Sequence, residues 1–289
     1  MQKANNIIIK ILLLLAFLII LSDVCFGQSS EEGRPLWEFG FAGVSARLPH
    51  YRGSDEYRWY ILPLPYLIYR GEFIQSDREG VKGVFYQSKY LETNISLFGN
   101  PPVEGDNEAR KGMSDLDALF EIGPAVKWFL LGRDPLDMFY LQVALRSAFS
   151  IGFDNGLDPA YQGMHGVANI IYRNESLFRS HGLIFSFKFG MDFQNRKLNS
   201  YFYDVPVEDA RPDRPFYESD GGYAGLSLSA SLRKELTKNL FLGFYSRWEN
   251  ISAAAFEDSS LVGTKNNYVV GTALIWKFAE SKKRVKLNK

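Results

Sequence analysis

Between Leu183 and Gln194 the chain reads L-I-F-S-F-K-F-G-M-D-F-Q, with Leu183, Phe185, Phe187, Phe189, Met191 and Phe193 in one row and Ile184, Ser186, Lys188, Gly190, Asp192 and Gln194 in the other. A period of two is a strand, because successive side chains point to opposite faces. The apolar row is aromatic and long enough to cross a tilted hydrocarbon layer, while the other row carries charge. A half-buried strand of a soluble sandwich alternates as well, so recurrence of the pattern has to decide between the two.

It recurs along the chain. Trp37 to Leu48 sets Trp37, Phe39 and Phe41 against Glu38, Gly40 and Ala42. Trp59 to Arg70 follows, with Pro63 and Pro65 removing ladder donors, which predicts a bulge or an interrupted edge. Phe73 to Asp77 and Val81 to Gln87 are one strand or two, with the turn composition of Arg78-Glu79-Gly80 between them, and are counted as two below. Further strands are read at Tyr90 to Gly99, Leu119 to Leu130, Met138 to Ser150, a weaker one at His165 to Arg173, then Leu183 to Gln194, Tyr223 to Leu236, Leu240 to Ser252 and Asn266 to Phe278.

The connections sort by parity. Those after even-numbered strands are short, as at Gly71-Glu72, Ser88-Lys89 and Thr237 to Asn239. Those after odd-numbered strands are long: Pro49 to Arg58, Asn100 to Asp117, Ile151 to Met164, Asn195 to Gly222 and Ala253 to Lys265, with Arg78 to Gly80 as the exception. A sandwich has no reason to sort its loops in this way, whereas an outer-membrane barrel has short periplasmic turns and long outer loops. The expected fold is therefore all-β, a transmembrane antiparallel up-and-down barrel of about 12 strands (range 10–14). Closure leaves no unpaired edge in lipid. Trp37, Tyr57, Trp59, Trp128, Tyr140, Tyr223, Trp248 and Trp276 are the expected interfacial girdles.

The first residues are of another kind. Lys3 and Lys10 flank and interrupt an apolar run from Ile7 to Leu21, polar Ser22 and Asp23 follow, and small Gly27 offers a cleavage site, the layout of a secretory signal peptide. The expected organisation is a leader at 1–27, a short periplasmic segment at 28–36, a barrel at 37–278 and a basic tail at 279–289. The single cysteine, Cys25, falls in the leader, so no disulfide framework or thiol chemistry is expected of the mature chain. With 289 residues, formal net charge +0 and 15% aromatic residues, nothing invites a nucleic-acid reading.

Candidate chemistry is sparse. His50, His165 and His181 are not at metal-ligand spacing, and no metal or cofactor is expected. Ser180-His181 with Glu175 could be drawn as part of a hydrolase, but on a short turn such a pair reads as solvated surface, and the chain is read as non-enzymatic. Asp115-Leu116-Asp117 has a calcium-loop spacing without the further oxygen ligands. The remaining candidates are the inward charges Glu121, Lys127, Arg146, Lys188, Asp192, Arg233, Arg247 and Glu249, which would either line a narrow channel or neutralise one another in a filled interior.

Several segments resemble a known family. Pro49-x-Tyr51-x-Gly53-Ser54-Asp55-x-Tyr57-Arg58, Leu62-Pro63-Leu64-Pro65-Tyr66, Gly112-Met113-Ser114-Asp115-Leu116-Asp117, Glu121-Ile122-Gly123-Pro124 and the stretch from Gly222-Tyr223 through Ala254-Ala255-Phe256 to Trp276-x-Phe278 are similar to the MltA-interacting protein family, MipA/OmpV. The resemblance implies an outer-membrane barrel of a Gram-negative bacterium without catalytic residues. It also implies a role either as a scaffold joining a murein hydrolase to a murein synthase or as a porin-like or adhesive surface protein. One departure is the basic stretch that follows Phe278, where barrels of this kind commonly end on an aromatic residue.

Overall fold

The computed structural model describes residues 33–77, 80–103, 107–134, 136–152, 158–175 and 181–285. The leader reading, Cys25 and Ser180 lie outside them. The strands are β1 (Arg34–Pro35), β2 (Trp37–Pro49), β3 (Tyr57–Arg70), β4 (Ile74–Asp77), β5 (Gly80–Gln87), β6 (Leu91–Asn100), β7 (Ala118–Phe129), β8 (Asp137–Gly152), β9 (Asp158–Asn174), β10 (Leu183–Gln194), β11 (Gly222–Thr237), β12 (Leu240–Asn250), β13 (Asn266–Glu280) and β14 (Arg284–Val285). One helix matters below, α1 (Arg196–Tyr203).

β2 to β13 form a closed antiparallel barrel of twelve strands, each paired with its neighbours in sequence and β13 closing onto β2. Alternation puts Trp59, Ile61, Phe41, Val143 and Trp276 outside, and Ile61 is 79% exposed. An apolar belt on this scale is more than a soluble monomer shows, and the sandwich alternative fails on topology, since there is one closed sheet and no second layer.

The inner row is of two kinds. Along β2, β3, β12 and β13 an apolar block, Val44, Leu64, Tyr66, Ile68, Phe241, Tyr245, Val269 and Ile275, is buried together, with the polar Glu38, Glu249, Asn267 and Lys277 buried toward the strand ends. Opposite them, β6 to β11 bury Asn94, Glu121, Arg146, His165, Asp192, Ser227, Ser229, Ser231 and Arg233. Half of the lumen is thus a packed core. The lumen is narrowed by side chains in the way barrels of modest strand number allow.

Three expectations need correction. Tyr140 is not in a girdle: it points inward, 3% exposed, with its ring against Phe129 at 5.1 Å. The connection read as Ile151 to Met164 shrinks to 153–157, because β8 and β9 stay paired from Ala148↔Gly163 to Gly152↔Asp158 beyond a bulge at Ala148/Phe149. Asp158–Tyr161 is exposed on both faces, and wetting both faces erases the alternation that marks a strand. Of the two readings for Pro63 and Pro65 the interrupted edge is the one found: the ladder with β2 runs unbroken from Trp37↔Tyr69 to Pro49↔Tyr57, while on the other side β3 pairs with β4 at Tyr69↔Ser76 and Arg70↔Gln75. Finally, β13 runs past the expected barrel end at 278 to Glu280 through a bulge at Lys277/Ala279, and β14 pairs with β1 across the barrel end where the short turns lie.

Candidate functional site: a charged cavity beneath a folded cap

The long connections gather at one end and make a small core of their own. Tyr51, Val103, Leu116, Tyr203, Ala224, Ile251, Ala254 and Phe256 are buried together above the barrel. Tyr203 stacks on Phe256 with ring centroids 3.7 Å apart. α1 brings it there: the Asn195 side chain caps the helix by accepting from the Leu198 N–H at 3.1 Å, and Leu198 packs fully buried on Leu119 and Ala148.

Hydrogen bonds tie the four connections to one another. Tyr51 donates to the Leu261 carbonyl at 2.7 Å, Tyr203 to the Arg52 carbonyl at 2.8 Å, and Ser259 to the Tyr203 carbonyl at 2.7 Å. Asn107 donates to Ser54 at 3.2 Å, and Arg110 to the Phe202 carbonyl at 2.9 Å. Gly53 sits at φ +91° with its N–H on Asn267 Oδ1 at 2.6 Å, and a Cβ there would come within 2.9 Å of Ile251. The Pro49–Arg58 motif is therefore the keystone of the cap. Burial pushes the Tyr51 and Tyr203 phenols well above the ordinary tyrosine value.

Under the cap lies a cavity of about 150 Å³, bounded by β2, β6 to β13, α1 and the Arg52 side chain. A line of charges crosses it. Arg52 donates to Glu249 at 2.9 Å and to Asp192 at 3.2 Å. Asp192 faces His165 Nε2 at 2.9 Å, and His165 Nδ1 faces Glu121 at 2.8 Å. Arg146 lies 3.6 Å from Glu121 and donates to Ser96 at 2.9 Å. Each imidazole nitrogen meets a carboxylate, an arrangement that two N–H donors satisfy. Satisfied networks of this kind are rigid, since breaking one link strands a buried charge.

The eight inward charges fall into two groups. Glu121, Arg146, Lys188, Asp192, Arg247 and Glu249 line the cavity, with Arg247 on Glu249 at 2.9 Å. Lys127 and Arg233 do not: Lys127 lies 3.9 Å from Glu92 among Lys82 and Arg133, and Arg233 rests over the Phe241 ring at 4.3 Å. Sequence reasoning missed Arg52, which sits on a loop with no periodicity, and His165, whose strand reads weakly. The one usable signal for His165 was its phase with Val167 and Asn169, the inward row of β9.

Ser180 of the hydrolase reading lies outside the described residues, and the described acids and His165 are engaged elsewhere. Both nitrogens of His165 are taken by carboxylates, and Glu175 is held by Arg34 at 3.1 Å and by Arg173. Among the described residues no three His, Cys, Asp or Glu side chains are placed to hold a metal ion.

A closed antiparallel barrel with an apolar outer belt, a charged and packed lumen and long loops at one end is a β-barrel of the outer-membrane class. The sequence matches the family described as MltA-interacting protein MipA over residues 41–278, and the chain belongs to that family. The motif around Gly123 makes structural sense in it, since a Cβ there would meet the Leu145 carbonyl oxygen at 1.9 Å.

Among solved structures the chain is similar to a bacterial polysaccharide outer membrane secretin, with 11% identity, 85% of this chain and 99% of that chain covered and a TM-score of 0.36. It is similar to the CymD monoaromatic hydrocarbon channel, with 11% identity, 87% and 90% covered and a TM-score of 0.29. It is also similar to the toluene transporter TodX of Pseudomonas putida, with 7% identity, 86% and 90% covered and a TM-score of 0.31. The search of curated proteins returns no match.

Proposed function

We propose that this protein is a closed, non-enzymatic outer-membrane barrel that acts as a scaffold for murein-remodelling enzymes. The outer belt then touches lipid, the cap faces outward, and the end with the short turns faces the periplasm of a Gram-negative cell after the leader at 1–27 is removed. The observation that carries this reading is the obstruction of the lumen: the cap core stands over it, and the line from Arg52 through Asp192, His165 and Glu121 to Arg146 spans it. A barrel so filled is a platform more readily than a pore.

The family's own description, an MltA-interacting protein, supplies the partner class. Lys282, Lys283 and Arg284, exposed beside the β1–β14 pair, give that end a basic surface suited to an acidic partner. Affinity purification of the full chain from detergent-solubilised envelopes is the test. A murein-cleaving enzyme and a synthase co-purify in a way that Lys282→Glu with Lys283→Glu weakens; their absence from the eluate contradicts the scaffold.

The channel alternative requires the cap to move. Porin-like conduction through the charged inner row is accordingly expected after the cap is loosened and not before.

A further inference from the structure

The barrel wall is uneven. β3 is paired to β2 along its whole length, yet among the described residues its ladder with β4 consists of Tyr69↔Ser76 and Arg70↔Gln75. On the far side, the ladder of β5 with β6 reaches no higher than Gly83↔Ile95. Above those levels, among the described residues, no strand lies between β3 and the end of β6, and at the base three inter-strand spacings separate them, roughly 14 Å. The top is closed by the cap, where the Glu108 N–H donates to the Glu56 carboxylate at 2.7 Å. The result is a window in the wall.

The sequence treats this as a permanent edge. The Arg70 N–H points at β2, onto the Leu36 carbonyl at 2.8 Å, and the Leu67 carbonyl points the other way, accepting from Ser76 at 2.9 Å. Alternation of backbone groups along the strand then turns the nitrogens of Pro63 and Pro65 toward the window. Proline has no N–H to leave stranded in an apolar medium, and it blocks pairing with a stray strand. Ile61, in the same row, is the most exposed of the large apolar side chains.

The charged cavity borders this window on its β6 side. Phe98, Asn100 and Pro101, from the end of β6 that lacks a β5 partner, are among its walls, together with Leu48 and Val269. At its far side Arg52, Arg146, Lys188 and Arg247 outnumber Glu121, Asp192 and Glu249. Arg247 lines the cavity with its side chain 22% exposed, and its ion-pair partner is Glu249 at 2.9 Å. A cationic lining beside Phe98 and Pro101 describes one kind of guest.

We propose that the window admits an apolar monocarboxylate from the membrane, its carboxylate meeting Arg247 and its hydrocarbon body passing Phe98. A cavity of about 150 Å³ holds something near the size of benzene, so the carboxylate and its first few carbons fit inside while the remaining chain lies in the window. The barrel then senses or stores a membrane-borne anion without conducting it. This inference rests on lipid contact by the outer belt and is independent of the scaffold role.

The test uses the full chain in phosphatidylcholine nanodiscs, with decanoate as the probe and calorimetry as the readout against empty discs. Decanoate binds saturably, while decanol and decyltrimethylammonium bind at least about tenfold more weakly, the scale of one charge-assisted hydrogen bond. Arg247→Met weakens decanoate by a similar factor, and Asn100→Trp, which fills the mouth, abolishes saturable uptake. A heat-dependent gel shift shows that each variant is folded. Decanoate that merely partitions as into empty discs, equal binding of the cationic amphiphile, or an unaltered Arg247→Met overturns the proposal. Displacement by equimolar acetate overturns access from the membrane, because acetate carries the charge without the apolar body.

Discussion

Tyr203 offers the sharpest test of the cap. Its side chain is 2% exposed, stacks on Phe256 at 3.7 Å and donates to the Arg52 carbonyl at 2.8 Å, so one residue joins α1 to both neighbouring loops. Truncating a buried aromatic costs about 3–5 kcal/mol through lost transfer energy and the cavity left behind. Within that total, the stacking geometry contributes about 1 kcal/mol and the hydroxyl's bond about another 1 kcal/mol. Tyr203→Phe keeps the ring and loses the bond, so it isolates the smaller part.

The cap is built from loops and the barrel from ladders, so the loss should stay local. Hydrogen exchange read by mass spectrometry over peptides covering 251–265 measures the opening energy directly. For Tyr203→Ala, protection there falls by at least a hundredfold, the factor equivalent to about 3 kcal/mol. For Tyr203→Phe it falls by about tenfold or less. Peptides of β8 and β9, the longest ladder, keep wild-type protection. An alanine variant no worse than the phenylalanine one, or a loss spread evenly into β8 and β9, refutes the idea of a cap with a core of its own.

Three further outcomes follow from the same geometry. Arg52→Met leaves Asp192 and Glu249 facing each other without their shared partner, which costs about 3 kcal/mol and lowers the urea midpoint of the refolded protein in vesicles; an unchanged midpoint contradicts the network. Gly53→Ala forces a side chain into φ +91° against Ile251 and destabilises the cap by about 1–2 kcal/mol, read again as faster exchange over 251–265. The raised Tyr51 and Tyr203 phenols give an alkaline limit: their contribution is complete below the ordinary tyrosine value of about 10 and is lost as pH climbs from there toward their higher folded values. Tyrosinate absorbance should therefore show these two ionising together with cap opening, and a smooth titration near 10 with the cap intact contradicts their burial.

Much of the barrel was legible because its two faces differ in chemistry. Where an apolar outer row backs a charged inner one, as at Leu183–Gln194, alternation is strong and phase assigns the faces directly. Where both faces are wet the signal vanishes, and Asp158–Tyr161 reads as loop although it is the start of β9. Tyr140 misled because a girdle tyrosine and a core tyrosine have the same composition, and only phase with Phe139 and Leu141 separates them.

The site was half legible. The strand-borne charges Glu121, Arg146, Asp192, Arg247 and Glu249 follow from phase. Arg52 does not, because a loop residue carries no period, and its role depends on how four loops fold together. Pro63 and Pro65 marked an irregularity whose nature lay outside their own strand: the missing neighbour is a property of β4, which ends at Asp77.

The lumen is obstructed by its own side chains and roofed by its own loops. Single-channel recording of the purified full-length barrel in a planar bilayer tests this most directly. The wild-type protein is predicted to insert and stay silent, while Tyr203→Ala combined with Arg52→Met gives flickering current; frequent, stepwise, long-lived openings of the wild type would contradict it.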